Sequence, residues 1–220
     1  MMYLVAPTVL RVAPEELSAR TRARFGAELR RAGGFAQLCL LGAQACLDAA
    51  GPGESLGVLW SSGHGAAHAA RAALADWLQS GEPVMPFTFI ATQPHLTAAL
   101  LAQRSHPIAR SAFLYLGADA WPWLLRLAQA WLGECEQVLV GWVEESNAES
   151  NAEGAAHQSD WCVVRRRPAP VRCEVLRDGS DAVAASTADW ISRLAAWHAA
   201  PRAALELRGG ADAWRFAALA

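Results

Sequence analysis

Cys135 stands between Glu134 and Glu136, where a reactive thiol would first be sought. Two flanking carboxylates raise a thiol's pKa rather than lower it, and the residue closes an apolar helical segment at its far end, so Cys135 reads as structural. His64 and His68 are four apart on one helical face, but no acid or third ligand follows at useful spacing, which argues against a metal site. The stretch "SSGHGAA" from Ser61 lacks the lysine of a phosphate-binding loop and the GxGxxG spacing, and reads as a tight strand-to-helix turn. Arg165, Arg166 and Arg167 admit two readings, a solvated strand end or a contact for an acidic protein. His95, at a helix start, and His106, before Pro107, admit pocket-lining or capping roles, with capping favoured.

The segment "FLYLGADAWPWLLRLAQAWLGECEQVLVGW" (113–142) reads as strand, sharp turn, helix, strand. Such a turn presents a side chain at a helix N-terminus, where free N–H groups and the dipole favour a thiolate. Here the turn is Tyr115, Leu116, Gly117, Ala118 and Asp119, without a thiol or aliphatic hydroxyl. Asp119 is placed to N-cap the helix, with Pro122 in its first turn. Trp123, Leu124, Leu127 and Trp131 share a helical face and are expected in the core, with Trp121 off it.

The elements that must position this turn alternate. Tyr3–Val12 is apolar and β-branched, and Pro14, Glu15 and Glu16 open a helix. Helical spacing runs from Phe35 to Ala49 and stops at Gly51-Pro52-Gly53. "SLGVLWSS" is a short strand apolar on both faces, followed by a helix to Ser80, a proline-spaced loop, and a helix over His95–Gln103. "ARSAFLYLG" and "CEQVLVGWVEE" flank the tryptophan-rich helix as third and fourth strands. "ESNAESNAEGAAHQSD" is polar and of low complexity, and marks 146–160 as an exposed loop. "WCVVRRR" returns to strand character, as a fifth strand or the first arm of a hairpin with "PVRCEVLRD", and the last strand is expected antiparallel at an edge because no helix precedes it. A helix over Ser186–His198 and a hairpin turning at Gly209-Gly210 follow. The expected class is α/β, with one domain over 1–220 built on a mixed, mostly parallel five-stranded sheet with helices on both faces, plus a C-terminal helix and hairpin.

Composition narrows the function. A formal charge of -2, with 19 cationic residues that are all arginine, leaves no basic footprint for nucleic acid. No apolar run is long enough for a membrane span, and "MMYLVAPTVLRVAPEE" is a poor signal peptide because it lacks a basic start and is broken by Pro7. The five cysteines (Cys39, Cys46, Cys135, Cys162, Cys173) form no CxxC pair, which suits a reducing cytoplasm and small buried thiols. No cofactor is implied.

This order of elements resembles the repeat unit of the thiolase-type fold, and the residues resemble the amino-terminal half of a β-ketoacyl synthase. "AWLGECEQVLVGW" is similar to the end of the synthase's central helix and the strand after it. "RFGAELRRAGGFAQLCLLGAQACLDAAG", "LGVLWSSGHG" and "MPFTFIATQPHLTAALLAQRSHPIARSAFLYL" resemble its early helix pair, second strand, and substrate loop with nucleophile strand, so the likeness spans roughly residues 20–170. In that family a catalytic cysteine ends the third strand. Its counterpart here falls within Tyr115–Asp119, where no thiol occurs. The family's two histidines come from a carboxy-terminal half that this chain is too short to repeat. Cysteine-less relatives of this kind resemble the chain-length-factor subunits of type II polyketide systems, especially the short ones of aryl-polyene clusters.

The resemblance implies a non-catalytic subunit paired with an active ketosynthase, shaping its acyl tunnel in polyketide, aryl-polyene or fatty-acid-like biosynthesis, with an acyl carrier protein as a further contact. In the family's dimers the third strands pair across the two-fold, which nominates Arg110, Ser111, Phe113 and Tyr115 for the interface and Trp121 for the tunnel end. Ten tryptophans also invite an interface. The rival reading is a stand-alone acyl-binding or regulatory protein of the same half fold.

Overall fold

The computed structural model describes residues 1–220 except 1, 28, 30, 31, 52, 54, 82, 105, 106, 118, 147–155, 177–181, 202, 210, 211 and 220. Ala118 and His106 therefore lie outside the described residues, as does most of the expected loop after Ser146. In chain order the elements are β1 (Met2–Val12), α1 (Pro14–Phe25), α2 (Gly34–Ala50), β2 (Leu56–Ser62), α3 (Ala67–Ser80), α4 (Pro86–Ala91), α5 (Leu96–Ala102), β3 (Ile108–Tyr115) and α6 (Ala120–Trp131). There follow β4 (Gln137–Glu144), β5 (His157–Arg165), β6 (Val171–Leu176), β7 (Val183–Ala184), α7 (Thr187–Ala199), β8 (Leu205–Gly209) and β9 (Asp212–Ala218).

The first five strands lie in the order β3-β2-β4-β5-β1. β2 pairs in parallel with β3 and β4, whereas β5 is antiparallel to both of its neighbours, β4 and β1. Four of these strands thus run one way and β5 alone is reversed, lying antiparallel beside β4, the strand before it in the chain. β5 is antiparallel as its sequence suggests but is not an edge. It lies inside the sheet, and β3 is the terminal strand. The sheet also exceeds five strands, since β6 adds to β1 and continues through β9, β8 and β7 to nine among the described residues.

Core residues cover both faces. On one face α6 and α7 bury Trp121, Leu124, Leu125, Trp190 and Ile191 against the sheet. On the other, α2 and α5 bury Phe35, Leu38, Cys39 and Leu101 against Trp60, Val163 and Trp161. Trp161 decides how closely α2 approaches, because a Cβ added at Gly42 of α2, or at Gly141 across the β4–β5 ladder, would run into its indole. Trp60, Trp121, Trp161, Trp190 and Trp214 are all fully buried, so the abundance of tryptophan serves chiefly the core rather than an interface.

Three further expectations are corrected. β5 begins at His157, so His157–Asp160 are strand and not exposed loop. Their polar groups are satisfied there: the Ser159 hydroxyl donates to Leu38 O at 3.0 Å, and buried Asp160 is paired with Arg11. α4 forms within the proline-spaced loop, started by Pro86, whose fixed φ suits a first helical position. α6 buries Trp121, Leu124, Leu125 and Ala128, so its inner stripe is rotated from the expected one and Trp123 is 57% exposed.

Candidate functional site

The expected elbow sits at the carboxyl ends of the parallel strands β3, β2 and β4, the rim at which open α/β sheets usually hold ligands. Hydrogen bonds tie that rim together. The Leu116 N–H donates to Ser61 Oγ at 3.2 Å, linking the end of β3 to β2. The buried Ser62 hydroxyl accepts from Gly65 N at 2.7 Å and His64 N at 3.2 Å, and donates to Glu144 Oε2 at 3.1 Å. Glu144 also accepts from Gly63 N at 2.8 Å and pairs with His64 Nδ1 at 2.7 Å. His64 is therefore a carboxylate partner, and no group of three or more His, Cys, Asp or Glu able to hold a metal ion occurs among the described residues.

Aromatic rings fill the space behind the rim. Phe113 packs edge-on to Phe35 and Tyr115, with centroids 5.9 and 4.8 Å apart, and lies 5.6 Å from Trp60. His95 makes an edge contact with Trp60 at 5.5 Å and does not cap α5 through its side chain. Tyr115, 65% exposed, leans over Gly65, whose φ of 58° and proximity to the phenol leave no room for a side chain.

The elbow is closed from the carboxy-terminal side. Gly117 O accepts from Thr187 Oγ1 at 3.1 Å, and Trp121 Nε1 donates to Thr187 O at 3.0 Å, so the start of α7 is fastened across the start of α6. Gly209, at the hairpin turn, faces Pro122 so closely that a Cβ there would lie 2.8 Å from the proline ring. Asp119 occupies the N-cap position, but its exposed side chain makes no capping hydrogen bond, which overturns the expected cap. Its backbone, at φ −110° and ψ 29°, is outside the extended region from which a cap side chain reaches back over the first turn.

The other nominated residues separate. Arg110 and Ser111 are exposed on β3, and Phe113 is half-buried. Arg110 lies over the Trp131 ring at 4.9 Å and pairs with Glu134 at 2.8 Å. Trp121 cannot reach a surface, being fully buried against Trp190, and Trp123 takes the outward place on α6 instead. Arg165 donates to Ala50 O at 2.9 Å, Arg166 is bonded to Leu132 O, and Arg167 pairs with Glu136 at 3.0 Å. All five cysteines are buried and free. Burial pushes the Cys46 thiol up to about 12, and raises Cys135 with help from Glu134, so neither is poised as a thiolate. Sequence reasoning missed Thr187, Gly209 and Glu144 at this site. Thr187 and Gly209 lie far along the chain and carry no local motif.

No family profile matches the chain, and no curated protein matches it. Solved structures do. A chain from a ketosynthase in complex with its chain length factor from Xenorhabdus doucetiae aligns with TM-score 0.59 and 14% identity, covering 99% of this chain and 97% of that one. The ishigamide ketosynthase/chain length factor aligns at 0.57 and 16%, covering 81% and 68%. A type II polyketide acyl carrier protein complex with its ketosynthase bound to the hexaketide aligns at 0.65 and 12%, over 100% of both chains. The fold is therefore thiolase-type α/β. More particularly, it is the ketosynthase-like fold of chains found in ketosynthase and chain-length-factor complexes. No helix among the described residues is long and apolar enough to cross a membrane.

Proposed function

We propose that this chain is a non-catalytic, chain-length-factor-type subunit that pairs with an active ketosynthase and shapes its acyl tunnel in polyketide, aryl-polyene or fatty-acid-like biosynthesis. The carrying observation is the elbow. Where the resemblance puts a nucleophile, the described residues offer Tyr115, Leu116, Gly117 and Asp119, and Thr187 at the start of α7 is bonded to Gly117 O and to the Trp121 indole. An acyl group would find no thiolate there to accept it.

The free edge of β3 supports a partner. Among the described residues it pairs with β2 on one side only, and an unpaired edge is a template for a strand from another chain. Beside it lie exposed Arg110, Ser111 and Tyr115, with Trp123 on the outer face of α6. Leu74, Trp77, Leu78, Met85, Phe87, Phe89 and Ile90 are also exposed on or beside α3 and α4, apolar side chains that a partner would cover. Arg167 keeps a largely exposed guanidinium, a rim charge suited to steering an acyl carrier protein.

The test is co-expression with a ketosynthase from the same organism, followed by native mass spectrometry. A one-to-one complex supports the reading. A stable monomer or homodimer that ignores the ketosynthase and retains an acyl ligand supports the stand-alone alternative instead.

A further inference from the structure

Glu145 follows β4 and is 7% exposed, yet its Oε2 is buried with no hydrogen-bond partner among the described residues. A carboxyl in that position meets a large desolvation cost when it ionises. Its other oxygen sits over the first turn of α2, 2.8 Å from where a Cβ on Gly34 would stand, with Leu17 of α1 alongside. The next residue is pinned on both sides. Ser146 N donates to His157 Nδ1 at 3.0 Å, and Ser146 O meets His68 Nε2 at 3.2 Å. α1, α2, α3 and β5 thus converge on one dipeptide at the start of the β4–β5 connection.

We propose that Glu145 is a proton-operated latch: neutral, it stays seated over Gly34 and holds α2 against the end of β4; ionised, it leaves that seat toward His68 and loosens the junction. The proton goes to solvent. The charged and titratable groups around it set the direction. His68 on α3 favours the ionised form, and Glu144, itself held by Ser62 and His64, opposes it. His157 on β5 is kept neutral by burial and by His68, against the opposite pull of Glu15 on α1, and so remains the acceptor for Ser146 N. Burial, the largest influence, raises the Glu145 carboxyl to about 7. A carboxyl raised in this way contributes stability that is full below its ordinary value and is lost as pH rises toward neutrality. Changes near pH 7 then bear on the rim, because Glu144 and Glu145 are consecutive and Glu144 holds Ser62 and Gly63.

The experiment uses the full chain alone, so it is independent of the proposed ketosynthase partner. Carbon-13 NMR of the glutamate carboxyls, with amide exchange corrected for intrinsic rates, is followed across neutral pH in wild type and Glu145→Gln. One carboxyl is expected to titrate near 7 and to vanish in the variant. Protection at Phe35–Leu38 and Val143–Ser146 should fall about tenfold over the same range in wild type only, as a local opening would produce. An ordinary titration for Glu145, or the same pH-dependent protection in the variant, overturns the latch. Should Glu145→Gln not fold, Gly34→Ala provides the second arm: its methyl crowds the Glu145 carboxyl and should lower the titration midpoint. An unchanged midpoint overturns the proposal.

Discussion

Trp121 and Trp190 lie face to face across the α6–α7 contact, with ring centroids 6.3 Å apart and planes within 9° of parallel. The pair, with Trp121 bonded to Thr187 O, fastens the carboxy-terminal helix over the elbow. Trp121→Ala is expected to cost about 3–5 kcal/mol of stability, as loss of a fully buried aromatic does. Urea unfolding of the isolated chain checks this, and a loss below about 1 kcal/mol would refute the packing role.

Trp123, two residues on, should behave oppositely. Being 57% exposed, it should alter stability on replacement with alanine by no more than about 0.5 kcal/mol. If the outer face of α6 meets the ketosynthase, the same change weakens the complex by about tenfold or more, measured by titration of the purified partners. Equal affinity for wild type and variant would remove Trp123 from the interface.

Arg110 is stacked on Trp131 and paired with Glu134 beside the free edge of β3. Arg110→Glu should leave the unfolding midpoint nearly unchanged, because Glu134 is exposed and Trp131 keeps its packing against the core without the guanidinium. Its expected effect is a slower association with the ketosynthase and an altered salt dependence, read by stopped-flow binding. A complex that forms at the wild-type rate at every ionic strength would contradict that placement.

Gly141 faces Trp161 across the β4–β5 ladder. Gly141→Ala should destabilise by about 1–3 kcal/mol through overpacking, although alanine is normally harmless or helpful at a strand glycine. Unfolding curves decide the matter, and a stabilised variant would mean that the indole has another place to go.

Arg126 of α6 donates through Nε to Asp212 Oδ2 at 2.6 Å, which holds the Asp212 carboxyl below its ordinary range. A depressed carboxyl adds stability that is present above its unfolded value and is lost as pH falls through the folded one. The pair is partly exposed, so its contribution is modest, about 0.5 kcal/mol. Asp212→Asn should lower the melting temperature slightly at neutral pH, and the difference from wild type should shrink as pH falls below the ordinary carboxylate range through the depressed value of Asp212.

Much of the fold was legible from local pattern. Leu56–Ser62 is apolar on both faces because helices cover both sides of β2, and Gly51 and Gly81 end α2 and α3 as their positions suggest. The blank elbow was legible too, since the absence of a thiol or aliphatic hydroxyl between Tyr115 and Asp119 is a matter of residue types.

Other features depended on neighbours that no local window contains. The rotation of α6 that buries Trp121 and exposes Trp123 is set by Trp190 and Thr187, more than sixty residues later in the chain. The polar strand at His157–Asp160 looked like loop because its partners, Leu38 O and Arg11, are remote. Residue types determined the strand-helix alternation and the lack of a thiol or aliphatic hydroxyl at 115–119, because periodicity and side-chain chemistry are local properties. Only the tertiary structure decided which tryptophan faces out, what closes the elbow and which glutamate is buried, because burial and hydrogen bonding arise where segments distant in sequence meet.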